Sequence, residues 1–371
     1  MKRKFLLIDI SLFELTRRLL NSGGISVRGL FILFIYYLKF LFALPGTFLQ
    51  FLFYARQIKK TAISKDPVFI LGHYRSGTTY LQKLMISDKR FGYLSNYDMI
   101  CPNSSLLLGK STQQLLQFLI NKLKIKNAFF NNDIVQLSEP CEEDRYLVGK
   151  GSAFTAYWGF VFPRRWHEWL NCSQQFRNAR YLMRWKKKYL STLKFITFRN
   201  KGRQLVLKNP PNTERIRYLL EMFPNAKFVY IYRNPFHLFY SMKNIWIRAV
   251  RTYYCLQKIS DIQIEEVIFS HFEYLVKQYE RDKKLIPAKQ LIEVQYEELE
   301  AEPLNVLKRI YSELSLPDFE MAKEGFLSQL EKEKRYKKFQ YEFTEDTFKK
   351  VEERWATYIH QWSYQATELI I

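Results

Sequence analysis

The run Gly72-His73-Tyr74-Arg75-Ser76-Gly77-Thr78-Thr79 holds two glycines, three aliphatic hydroxyls and one interior cation. Its glycines have the spacing of a nucleotide P-loop. In such a loop successive backbone N–H groups turn inward on a phosphate, and the positive end of the next helix adds to them. Glycine is needed where the backbone takes conformations, or makes close approaches, that a side chain would block. The lysine that normally follows the second glycine and reaches the outer phosphates of a triphosphate is absent, and Thr78 stands there. Arg75 supplies a cation from inside the loop, which turns the expectation away from ATP or GTP.

A second anion site is expected at Arg233. It ends the β-rich run Lys227–Tyr232, and Asn234-Pro235 follows as cap and first residue of a helix. A triphosphatase would place a magnesium-binding carboxylate at such a strand end. Ser241 comes about two helical turns later, so Arg233 and Ser241 can face one phosphate together, the arginine through its planar fork of donors.

These residues need a scaffold. Apolar runs at Val68–Gly72, Gln204–Lys208, Lys227–Tyr232 and Leu291–Tyr296 read as strands. Helices are expected around Leu81, Leu84 and Met85, over Thr213–Met222, from Pro235 through Ile247, and over Pro303–Leu314. Alternation of this kind predicts an α/β fold with a parallel sheet and helices on both faces. Residues 100–200 read as mostly helical.

Residues 29–54 are apolar apart from Lys39, long enough to cross a bilayer, which needs about 20 residues. Pro45-Gly46 interrupts the run, so a kinked span and a hairpin in one leaflet both fit, and a helix buried against the main domain is the alternative. Basic residues flank both ends, so the positive-inside rule fixes no orientation. We expect residues 1–60 to form a membrane-associated region ahead of a catalytic domain at 61–371. That domain is expected in the cytoplasm, with a lumenal location also open.

The formal net charge is +22. It suits an anionic membrane surface or a polyanionic small ligand. Nucleic acid is not expected as a partner, because neither zinc-finger spacing nor an RNA-binding aromatic signature is present. Cys101, Cys141, Cys172 and Cys255 are widely separated and read as free thiols rather than metal ligands or a disulfide framework. Glycosylation-type triplets begin at Asn103 and Asn171, and they would matter only in a secretory lumen.

The segments ILGHYRSGTTYLQKLM and LVLKNPPNTERIRYLLEMFPNAKFVYIYRNPFHLFYSM resemble sulfotransferases that use 3′-phosphoadenosine 5′-phosphosulfate, in the branch with a GHxRSGTT loop. EPCEED (139–144), YEELEAEPLNVLKRIYSELSLP (296–317) and YKK (336–338) extend the resemblance over most of residues 66–340. It implies a P-loop-type three-layer sandwich around a parallel sheet. It also implies that Arg75, Ser76, Gly77, Thr78 and Thr79 hold the 5′-phosphosulfate, that Arg233 and Ser241 grip the 3′-phosphate, and that Lys337 or Lys338 belongs to a loop closing over the nucleotide.

Sulfuryl transfer needs a base for the acceptor proton, cations for the transferring oxygens and an in-line nucleotide. No metal is required where Lys and Arg supply the charge. Lys208, at a strand end, is the expected cation, at a position similar to the family's catalytic lysine. Many relatives carry a glutamate about twenty residues after the loop, where this chain reads Leu94-Ser95-Asn96-Tyr97-Asp98. The candidate bases are therefore, in order, His73, Glu142, Glu143 and Asp98. The aromatic stretch 154–169 reads as core more readily than as an acceptor pocket. The acceptor is expected to be a hydroxyl or amine, on a membrane lipid or a glycan. A small-molecule kinase and a non-catalytic membrane protein that retains the fold are the competing readings.

Overall fold

A computed structural model of the chain describes residues 12–126, 134–334 and 344–364. Five parallel strands form its sheet: β1 (Val68–Leu71), β2 (Phe91–Gly92), β3 (Gln204–Lys208), β4 (Lys227–Tyr232) and β5 (Leu291–Gln295), in the order β2-β3-β1-β4-β5. Four of these are the expected strands. The short β2 carries no pattern that a sequence can show.

Successive side chains on a strand point to opposite faces, and here both faces are dry. Phe69, Leu71, Leu205, Leu207, Phe228 and Tyr230 face one core. That core is closed by helices Ala179–Arg199, Pro235–Ile245, Asp261–Asp282 and Glu345–Gln361, through side chains such as Trp185, Phe239, Phe272 and Trp355. Val68, Ile70, Val206, Val229 and Ile231 face the other, under helices Thr78–Met85, Pro303–Glu313 and Lys323–Glu333. A parallel sheet buried on both sides reads as continuous apolar runs, which is why β1, β3 and β4 were plain in the sequence. This is the expected three-layer α/β sandwich.

Because all the strands run one way, the chain leaves β1, β3, β4 and β5 at a single sheet edge. Gly72, Lys208, Arg233 and Tyr296 therefore come to one place, the edge where open α/β sheets bind ligands. The helix expected over Thr213–Met222 is instead a 3₁₀ turn, Pro210–Glu214, followed by helix Ile216–Met222. The helix expected through Ile247 ends at Ile245 and continues as a π turn, Trp246–Val250.

Pro45 does not break the N-terminal apolar segment. It forms one helix, Val27–Lys60, with the Ser26 hydroxyl accepting a hydrogen bond from Gly29 N at its start. By length and composition this helix could cross a membrane, with a mean hydropathy of 1.9 in its most apolar window. Gly29, Ile32, Tyr36 and Gln50 are buried against the rest of the protein. Cys141, Cys172 and Cys255 are buried and Cys101 is half-buried.

Candidate active site

The turn after β1 is compact. Gly72 adopts φ 136°, and a Cβ there would lie 2.4 Å from the Ile231 carbonyl oxygen. Its N–H donates to Thr213 Oγ1 at 2.9 Å. Ser76 Oγ donates to the His73 carbonyl at 2.8 Å, closing the loop on itself. Gly77, at φ 97°, precedes helix Thr78–Met85, whose first turn has no acidic residue. A helix start of this kind favours an anion.

Arg75 also has a positive φ, 71°, a rare backbone state for a residue with a side chain. Its side chain lies across the loop, and Nε donates to Ser241 Oγ at 2.9 Å. Arg233 Nη1 donates to the Arg75 carbonyl at 3.2 Å. Arg75, Arg233 and Ser241, read as two separate anion sites, are one cluster because β1 and β4 are neighbours, with Leu71 beside Tyr230. Tyr296 completes it. Its ring lies 4.4 Å under the Arg233 guanidinium, within cation–π range, and fills the space where a Gly77 Cβ would stand. Tyr296 was not among the expected site residues; a tyrosine just after a strand gives no signal of its own.

Lys208 is 4% exposed, and Nζ donates to Glu142 Oε1 at 2.6 Å. Glu142 is held by strand-like pairing. Cys141 N donates to the Leu94 carbonyl and Asn96 N to the Glu139 carbonyl, both at 2.8 Å. The acidic segment therefore runs alongside Leu94–Asp98 and delivers the Glu142 carboxylate to the cleft.

The other three candidate bases lie elsewhere. Glu143 is fully buried, and its Oε2 accepts from Asn212 Nδ2 at 3.2 Å. Burial, reinforced by the Asp144 carboxylate, pushes it up to about 8. Asp98 is buried in a capping box with Ser95 and lies 3.3 Å from Arg199 Nε. His73 packs against His271 and Phe272, and its Nδ1 meets the Tyr74 carbonyl at 2.8 Å. Burial lowers it to about 4, so the ring stays neutral. None of the three lines the cleft, whereas Glu142 and Lys208 do. Lys337 and Lys338 lie outside the described residues.

Behind Glu142 the chain is anchored by a buried ion pair. Asp144 takes both arms of Arg215, at 2.7 and 3.0 Å, and also accepts from Asn209 Nδ2 and Ala156 N at 2.9 Å. The EED triplet thus divides, with one carboxylate toward the cleft and two toward the interior.

The cleft has a volume of about 790 Å³ and joins two chemistries. Its lining includes the charged and polar Arg75, Thr78, Thr79, Arg233 and Tyr296 and the apolar Met99, Ile100, Phe160, Met242, Ile245 and Val250. Arg145, Tyr157 and Tyr254 add further polar groups to the lining. From the aromatic stretch, Tyr157 and Phe160 reach the cleft, while Trp158 and Phe162 belong to the core. Lys208 and Glu142 line the same cleft.

The Gly72–Thr79 loop, Arg233 and Ser241 thus gather at one edge of a parallel sheet, beside the Lys208–Glu142 pair. The Sulfotransferase family profile matches residues 67–320, and the chain belongs to that family of enzymes. Over 318 residues it is 29% identical to the ω-hydroxy-β-dihydromenaquinone-9 sulfotransferase Stf3 of Mycobacterium bovis, and equally to that of Mycobacterium tuberculosis (strain CDC 1551 / Oshkosh). Each match spans 85% of this chain and 79% of the relative. Its fold is similar to that of sulfotransferase STF1 from Mycobacterium tuberculosis H37Rv, with TM-score 0.70 and 19% identity over 93% of this chain and 91% of that one. It is also similar to STF9 from Mycobacterium avium, with TM-score 0.64 and 17% identity over 82% and 79% of the two chains.

Proposed function

We propose that this sulfotransferase moves the sulfuryl group of 3′-phosphoadenosine 5′-phosphosulfate to a hydroxyl on an apolar, membrane-resident lipid. The observation that carries this reading is the Lys208–Glu142 pair in a cleft lined by both the Gly72–Thr79 loop and apolar side chains.

In this reading the loop Arg75–Thr79 takes the 5′-phosphosulfate, and Arg233 with Ser241 takes the 3′-phosphate. The Glu142 carboxylate accepts the proton of the acceptor hydroxyl as its oxygen bonds to sulfur. The bond from sulfur to the phosphate oxygen breaks, leaving adenosine 3′,5′-bisphosphate and a sulfate ester. Lys208, whose ammonium has three donors, turns toward the sulfuryl and leaving-phosphate oxygens, where charge develops. Before ligands arrive the ion pair holds the two side chains against each other in the cleft.

The lipid acceptor is supported by the apolar lining and by the exposed apolar helix Val27–Lys60. It agrees with the named acceptor of the Stf3 relatives, a hydroxylated menaquinone. Incubation with radiolabelled sulfate donor and a total membrane extract tests it. Label in the organic-soluble fraction is expected; label confined to water-soluble small molecules would overturn the lipid acceptor. Stabilisation by magnesium–ATP but not by adenosine 3′,5′-bisphosphate would instead favour a kinase.

A further inference from the structure

We infer that helix Val27–Lys60 does not cross the bilayer but lies along an anionic leaflet, sharing that surface with helix Ser105–Lys122, so that the cleft opens toward lipid. The opening rests on the lipid-acceptor reading; the docking does not.

The helix is about 50 Å long at 1.5 Å per residue, against a hydrocarbon core of about 30 Å. It is tied to the folded domain along its whole length. Ser26 N donates to the Leu256 carbonyl at 2.8 Å, and Gly29 packs directly on that residue. Gly46 packs on Ser104, and Gln50 Oε1 accepts from Leu106 N at 2.8 Å. Near the far end Lys194 Nζ donates to the Lys59 carbonyl at 2.9 Å. A helix fastened at both ends to one water-soluble body cannot carry its middle across a bilayer without drawing that body in.

The side turned away from the domain is apolar. Phe31, Phe42 and Phe51 are 65%, 85% and 71% exposed. A second segment, remote in sequence, continues the surface: Leu115 and Phe118 are 58% and 62% exposed on the adjoining helix. Exposed Lys110, Lys122 and Lys124 border that patch, and Arg56, Lys59 and Lys60 end the long helix. Aromatic residues with a basic border match an in-plane helix on anionic headgroups. A second copy of this chain would bring like charges together.

The same helix packs beside segments that line the cleft. It touches Leu256, just past the cleft-lining Tyr253 and Tyr254, and Ser104, just past the cleft-lining Met99 and Ile100. Between them Tyr36 is buried close enough to affect the Tyr157 phenol electrostatically, and Tyr157 lines the cleft. An apolar acceptor lying beside the helix can thus extend into the cleft without leaving lipid.

The full chain is mixed with vesicles of phosphatidylcholine alone and with phosphatidylglycerol added. A Cys101→Ser background carries a reporter at either end of the helix, Asn21→Cys or Lys60→Cys, read with an impermeant maleimide added outside. We expect binding that needs phosphatidylglycerol, labelling of both reporters, and a loss of vesicle affinity of about tenfold or more in Leu115→Glu/Phe118→Glu. That variant should keep its thermal stabilisation by adenosine 3′,5′-bisphosphate. Protection of one reporter alone means a crossing helix. That result, absent vesicle binding, or unchanged affinity in the double variant overturns the inference. Vesicle docking without nucleotide binding would leave the docking intact and remove the proposed reaction.

Discussion

Lys208 Nζ and Glu142 Oε1 meet at 2.6 Å in a cleft that the Gly72–Thr79 loop and a set of apolar side chains line together. They are 66 residues apart in the chain and arrive by different routes. The lysine comes off the end of β3, and the glutamate comes from a segment paired with the stretch after β2. An acid and a base within hydrogen-bond reach, at the point where acceptor and donor would meet, are the minimal equipment for an in-line transfer.

The Arg75–Arg233–Ser241 cluster should distinguish nucleotides by their 3′-phosphate. Ser241→Ala and Arg233→Ala should each weaken adenosine 3′,5′-bisphosphate by roughly 1.5–3 kcal/mol, the worth of a hydrogen bond to a charged group. Adenosine 5′-monophosphate should be affected far less. Titration calorimetry with the two nucleotides checks this; equal losses for both would move the clamp elsewhere.

Glu143 should give the enzyme an alkaline weakness. Its carboxyl is raised from 4.5 to about 8 in the fold, so between those values the native state holds a proton that the unfolded state has lost. Stability from this group is complete below about pH 4.5 and falls as pH rises toward 8. Glu143→Gln should remove the dependence and gain on the parent chain across that window, by a few kcal/mol at the order-of-magnitude level. Denaturant melts at pH 5 and pH 8 measure it; identical pH slopes in the two proteins would refute it.

His73 carries the opposite sign. Burial lowers it from 6.5 to about 4, so the unfolded state takes up its proton first, and stability falls as pH drops through that window. Because the ring is neutral and turned into the core, His73→Gln should leave the pH dependence of kcat unchanged even where it lowers stability. Loss of an ionisation from that profile would return the base to His73.

The Asp144–Arg215 pair, fully buried, should matter through Glu142. Breaking it with Arg215→Met leaves a buried carboxylate without its cation, at a cost of about 3–5 kcal/mol. A pH-matched melt reads the loss, and a change below 1 kcal/mol would show the pair to be dispensable.

The sequence made the sheet legible because each central strand is buried on both sides, so β1, β3 and β4 appear as unbroken apolar runs. The phosphate loop was legible because glycine spacing, hydroxyls and an interior arginine all serve one geometry. Which member of EPCEED faces the cleft was not legible. Glu142, Glu143 and Asp144 differ only in which side of a helix start they occupy, and the Arg215 and Asn212 partners that draw two of them inward lie some 70 residues away. The burial of His73 was hidden for a similar reason: its neighbours in sequence are loop residues, while His271 and Phe272 pack on it from far along the chain. The long apolar helix was visible by composition. Its attachment to Leu256, Ser104 and Leu106 was not, since such contacts leave no periodic mark.

The most direct test compares the parent enzyme with Glu142→Gln, using radiolabelled sulfate donor and the lipid fraction of a membrane extract, with adenosine 3′,5′-bisphosphate affinity measured in parallel. We predict that labelled lipid forms with the parent and that the variant is slower by about 10²–10⁴-fold, the usual contribution of a positioned base, with nucleotide affinity unchanged. Labelling at the parent rate by Glu142→Gln would contradict the account.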